Sequence, residues 1–330
     1  MVMRAEVFAR VHHLRGIHVP TERDMKLEMC LDRLFECGED GSLLPVPTRY
    51  AGGLETRGIM LVEPAGGGKT TAIQRALQDM IALQEHPEFG IPRYLQLQVP
   101  SPATLKSVGI AILAATGFAE VKGRATEAEI WETVRHRLAQ FGFVVLWIDE
   151  AQDLILARSA GETEKTLRMI KTLMQGDHAV VPILSGTQRL SEMASFDPQV
   201  SRRFLKIAPG DLEFGADEDT LGQLIDHYCG EVGLAAKIGA DLAGRLIHSS
   251  RRRFGRAIET VIAAIEIALL EDADVLTRDH FAEAWAMQEG CEVYQNVFLA
   301  DDWTSIQLDR EAEEFEEART KRQRKKLERG

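Results

Sequence analysis

Residues 58–71 read Gly-Ile-Met-Leu-Val-Glu-Pro-Ala-Gly-Gly-Gly-Lys-Thr-Thr, an apolar run that passes into a glycine-rich loop and ends in Lys-Thr-Thr. No other stretch restricts the fold as strongly. A strand that feeds such a loop and then a helix turns the loop's backbone N–H groups towards an anion, with the positive end of the helix behind it. Lys69 then reaches the β- and γ-phosphates of a nucleoside triphosphate, and the Thr70 hydroxyl holds Mg²⁺. Pro64, Ala65, Gly66, Gly67, Gly68 and Thr71 complete the cradle. The first position of the usual pattern is glycine, and here it is Glu63. Glycine at that turn permits a positive φ, which is costly for glutamate, and Glu63 adds a carboxylate near the phosphates.

A second motif supports the first. Phe143-Val-Val-Leu-Trp-Ile-Asp149-Glu150 is an apolar run closed by two carboxylates. A run without alternation suits a strand buried on both faces of a parallel sheet. Its acids then stand at the carboxyl edge, where open α/β sheets bind ligands. Asp149 is placed for the Mg²⁺ shell and Glu150 for orienting and polarising the attacking water. Together the motifs predict binding and hydrolysis of ATP with Mg²⁺.

Between about 56 and 210 the pattern alternates strand and helix. Strands are expected at 58–62, 93–99, 143–148, 179–185 and 204–208, with helices near 69–85, 104–116, 126–140 and 163–175. Residues 1–45 read as mainly helical, with Thr21 as an N-cap after an extended Gly16–Pro20, and 38–53 as a polar loop with prolines. From 213 to about 290 no strand is evident and two apolar helical stripes recur. Residues 291–330 are charged, acidic from Asp309 to Glu317 and basic from Arg319 to Arg329, with few core positions. The expected division is 1–45, 46–210, 211–290 and 291–330.

Composition narrows the function classes. With Lys+Arg 39 against Asp+Glu 51, a net charge of −12, bulk electrostatics do not drive nucleic-acid binding, so any DNA contact must be local. No run approaches the ~20 apolar residues of a membrane span. The four cysteines are scattered and the start lacks a secretory apolar region, so a reduced, cytoplasmic protein without membrane contact is expected.

An N-terminal helical segment, the glycine-rich loop, the Asp-Glu strand and a helical lid form the layout of AAA+ ATPases. Within them the chain resembles the TniB/TnsC-type regulators of DNA transposition over roughly residues 10–300. The resemblance rests on His18-Val-Pro-Thr21, Gly68-Lys-Thr-Thr71, Ile148-Asp-Glu-Ala-Gln152, Leu184-Ser-Gly-Thr187, Ser201-Arg-Arg-Phe204 and Asn296-Val-Phe298. It implies an α/β fold, a parallel five-stranded sheet sandwiched by helices and followed by a small all-α lid. It further implies a homo-oligomeric ring or helical filament on double-stranded DNA that works with a transposase and a target-selection protein. By this resemblance Thr187 or Ser185 is a polar sensor of the γ-phosphate. Arg203, with Arg202 as the competing candidate, is an arginine finger for the neighbouring subunit's ATP. Arg256 is a lid sensor, with Arg251, Arg252 and Arg253 as alternatives. Lys106, Lys122 and Arg124 lie in loops that would meet DNA phosphates. Three other readings were weighed: a helicase, for which 213–290 supply no second sheet; an ATPase of a secretion or signalling system; and an ATP-binding scaffold with little hydrolysis.

Overall fold

The computed structural model describes residues 2–118, 124–155, 160–194 and 197–308. The chain divides into two units: 20–65 with 69–209, and 2–19 with 66–68 and 210–308. The stretch 1–45, expected as one helical segment, is therefore shared between them.

The first unit is built on parallel strands. It opens with helix Glu22–Asp32, capped by Thr21, whose backbone N–H donates to Asp24 Oδ2 at 2.9 Å. A short antiparallel pair follows: β1 (Phe35–Cys37), where the sequence read as helix, and β2 (Leu43–Pro47), within what it presented as loop. Then come β3 (Gly58–Val62), β4 (Tyr94–Gln98), β5 (Val145–Asp149), β6 (Val181–Gly186) and β7 (Phe204–Ile207), all parallel, in the order β4-β5-β6-β3-β7. All five expected core strands are present within two residues of their expected bounds.

Strands β3, β5 and β6 are buried at every residue. Their side chains alternate between two apolar layers. Met60, Leu146, Ile148 and Leu184 face one, while Ile59, Val145, Trp147 and Ile183 face the other. Both faces are covered by helices, among them Lys69–Asp79, Leu105–Ala115 and Glu127–Gln140. The β4 edge strand instead alternates buried and exposed positions.

The order of strands positions the site. The chain leaves β3 for the far edge, returns through β5 and β6, and finally adds β7 on the other side of β3. Strand β6 thus separates the two motif strands, so the loop after β3 and the acids of β5 meet over its carboxyl end, the ligand position of open α/β sheets.

The second unit is helical: Val2–Gly16, Glu218–Glu231, Leu242–Ser249, Phe254–Leu270 and Arg278–Glu289. Val7, Val11 and Leu14 share its core with Leu221, Ile225, Val261, Ile265 and Phe281. Here the structure departs from the all-α expectation. Strands β8 (Ala235–Lys237) and β9 (Val275–Thr277) form a parallel pair, each too short to leave a periodic signature. Residues 291–308 also contribute to the core. Val297 and Phe298 are fully buried, and Asn296 holds this turn by donating to the Ala282 carbonyl at 2.7 Å and accepting from the Phe298 N–H at 2.9 Å. The charged segment 309–330 lies outside the described residues. Burial pushes the Cys229 thiol up to about 11, which makes it an unreactive core group. Among the described residues no helix is long and apolar enough to cross a membrane.

Candidate functional site

The loop after β3 has the expected backbone. Gly66 and Gly68 take φ of +79° and +102°, where a side chain would be strained. Helix Lys69–Asp79 starts directly behind them, with Thr70 half-buried and Thr71 exposed. The expected strain at Glu63 is absent: its φ is not positive, so the turn does not call for glycine there. Nor is its carboxylate left to oppose phosphate. Glu63 is 7% exposed and pairs with Arg23, 6% exposed, whose Nη1 stands 3.0 Å from Oε2. The Glu63 N–H donates to the Gly186 carbonyl at 2.9 Å. Helix Glu22–Asp32 therefore supplies a buried cation that anchors the start of the loop.

This pair makes a prediction. A buried carboxylate stripped of its partner costs about 3–5 kcal/mol. Arg23→Ala should lower the thermal midpoint sharply, and adding Glu63→Gly should recover part of the loss. Equal midpoints for the single and double variants in thermal denaturation would contradict the pairing.

The acids of β5 close the site. Asp149 is 6% exposed and its carboxylate accepts from three donors. Oδ1 accepts from Ser185 Oγ at 2.6 Å and from the Glu150 N–H at 3.0 Å, and Oδ2 accepts from Thr70 Oγ1 at 2.8 Å. Ser185 in turn accepts from Trp147 Nε1 at 2.8 Å, so it serves to orient Asp149 and Thr187 remains as the sensor candidate. Glu150 sits at φ +54°, a left-handed conformation unusual for this residue and typical of strain held at a working site. Its Oε1 lies 3.2 Å from Lys69 Nζ, and Lys69 is almost completely buried. The two sequence motifs thus touch twice, through Thr70–Asp149 and Lys69–Glu150.

Comparison with known proteins agrees with this geometry. The model of the family described as bacterial TniB protein matches residues 47–210. No curated protein sequence matches the chain. Among solved structures it is similar to the Orc1 protein of Aeropyrum pernix in complex with DNA, at 18% identity and a TM-score of 0.56, over 82% of this chain and 66% of that one. It is also similar to the Orc2 protein of the same organism in its ADPNP–ADP complexes, at 15% identity and 0.55, over 87% and 75%. Cdc6p of Pyrobaculum aerophilum aligns at 12% identity and 0.57, over 86% and 74%. At such identities the likeness is one of fold.

The two units hold the remaining expected residues. Arg203, expected as the arginine finger, is 4% exposed and held at home. Its Nε donates to Glu55 Oε2 at 2.8 Å, Nη2 meets the same oxygen, and Nη1 donates to the Gln199 carbonyl. A guanidinium locked in this way is a core group. Its neighbour Arg202 has a side chain 65% exposed and only grazes Glu55 at 3.9 Å. Sequence alone could not separate two adjacent arginines, because what distinguishes them is Glu55, far upstream.

The lid arginines do separate. Arg251 pairs with Glu289 at 3.0 Å, Arg252 donates to the Leu212 carbonyl at 2.7 Å, and Arg253 pairs with Asp211. Arg256 makes no side-chain hydrogen bond or ion pair with the described residues. Gly66–Gly68 group with this unit, and a Cβ at Gly66 would stand 2.7 Å from Arg256 Cγ. Of the expected DNA contacts, Lys106 is half-buried and its Nζ donates to the Ala125 carbonyl at 2.9 Å, a structural use that the sequence did not reveal. Arg124 is exposed, and Lys122 lies outside the described residues.

Proposed function

We propose that this chain is an ATP-hydrolysing switch that assembles on double-stranded DNA in the ATP state and recruits or activates a transposase. The observation that carries the enzymatic part is the pairing of Lys69 with Glu150 beside Thr70 and Asp149. In this reading the loop N–H groups and Lys69 bind the phosphates. Glu150 takes the proton of the attacking water, and Arg256 serves as the lid sensor. Thr70 and Asp149 would hold Mg²⁺. Their hydroxyl and carboxylate oxygens are hard donors already 2.8 Å apart. When bound, the ion would neutralise phosphate charge.

The scaffold alternative drew its strength from Glu63, and the Arg23 pair removes that ground. The transposition part rests on the TniB match, and the DNA part also on the neighbour solved with DNA. Contact with DNA would fall to Arg124 and Lys122 rather than Lys106, and would be phosphate-directed and independent of sequence. ATP binding is tested with Lys69→Ala, which strips the loop of its own cation. Titration with a fluorescent ATP analogue should show wild-type binding and none in the variant. Equal affinity in both would overturn the nucleotide site.

A further inference from the structure

One buried amide in the site has no role so far. Gln152 is 6% exposed, in the short helix Ala151–Ile155 that follows β5. Its Nε2 donates to Glu150 Oε2 at 2.5 Å, and its Oε1 accepts from the backbone N–H of Thr187 at 3.2 Å. This orientation is forced. A backbone N–H only donates and a carboxylate only accepts, so the amide fits one way round. Room for it comes from Gly186, where a Cβ would stand 2.2 Å from Gln152 Oε1. The end of β6 is therefore shaped around this side chain.

We propose that Gln152 is the positioning residue for Glu150, tying the carboxylate that activates water to the backbone beside the sensor Thr187. The proposal rests on the ATPase reading above. Without nucleotide, Glu150 is shared between Lys69 at Oε1 and Gln152 at Oε2. A bound triphosphate draws the Lys69 ammonium away, and Gln152 then keeps Glu150 in place through Oε2 while Oε1 is released. In the reaction the water oxygen bonds to the γ-phosphorus as the bond to the β–γ bridging oxygen breaks. The electron pair of that bond stays with ADP, and the water proton passes to Glu150 Oε1. A shift of the γ-phosphate felt at Thr187 reaches Glu150 through one amide.

Steady-state kinetics on the full chain test this. Misplacement of a reacting group by about 1 Å costs on the order of 100-fold in rate. Gln152→Ala should lose kcat on that scale with KM for ATP unchanged. Gly186→Ala should reproduce the loss by displacing the amide while leaving it chemically intact. In a Glu150→Gln background, Gln152→Ala should add no further loss. Wild-type kcat in Gln152→Ala, a raised KM with unchanged kcat, or a full additional loss in the Glu150→Gln background would each overturn the proposal. A wild-type chain without ATP turnover would overturn the ATPase reading and this role with it; turnover that ignores Gln152 would overturn this role alone.

Discussion

Arg202→Ala should lower ATP turnover by roughly 10³–10⁵, the range of known arginine fingers, with nucleotide affinity and thermal stability near wild type. The expectation follows from two adjacent arginines with opposite surroundings. Arg202 has a side chain 65% exposed and touches Glu55 only at 3.9 Å, so it is available to a neighbouring subunit. Arg203 is buried on Glu55 and is not. Arg203→Ala would leave the buried Glu55 carboxylate with only the 3.9 Å contact to Arg202, at a cost of up to about 3–5 kcal/mol. The two variants therefore fail in different ways, Arg202→Ala in turnover and Arg203→Ala in folding. Phosphate release and thermal denaturation read the two effects apart. If the finger acts in trans, mixing Arg202→Ala with Lys69→Ala should restore part of the activity, because mixed assemblies pair an intact site with an intact finger. Wild-type turnover in Arg202→Ala would remove it from this role.

Glu150→Gln should slow hydrolysis by roughly 10²–10⁴, the usual worth of a positioned acid–base group. The amide retains the shape but cannot take the water proton. The same substitution should leave ATP binding intact or tighten it. In the free protein Lys69 Nζ is 3.2 Å from Glu150 Oε1, and that pair must be broken before the lysine can serve a phosphate. A neutral residue releases Lys69 for less. Single-turnover hydrolysis and equilibrium nucleotide binding measure the two effects independently. Hydrolysis at the wild-type rate would reassign the base.

Much of this site was legible because its signals are local. Gly58–Val62 and Val145–Asp149 are runs without alternation, and the structure buries every residue of both. The glycines and Lys69 follow in fixed register, and Thr21 with Asp24 caps its helix from three residues away. What the sequence concealed depends on partners distant along the chain. Glu63 looked like a defect until Arg23, forty residues earlier, was seen beside it. Arg203 looked like a finger until Glu55, separated by 148 residues, claimed it. Lys106 looked free until the Ala125 carbonyl accepted its ammonium. The pair β8–β9 was missed because strands of three residues cannot display a period, β1 because its three residues continue the preceding helical stripe, and β2 because its prolines give that stretch the composition of a loop.

If nucleotide state governs assembly on DNA, sedimentation velocity will show it. The Glu150→Gln chain, which should hold ATP without consuming it, would be mixed with random-sequence double-stranded DNA under ATP, under ADP, and without nucleotide. The account predicts a fast-sedimenting protein–DNA complex with ATP alone, weakened by added salt because its contacts are to phosphates. The same complex under ADP or without nucleotide, or no association with DNA under ATP, would contradict it.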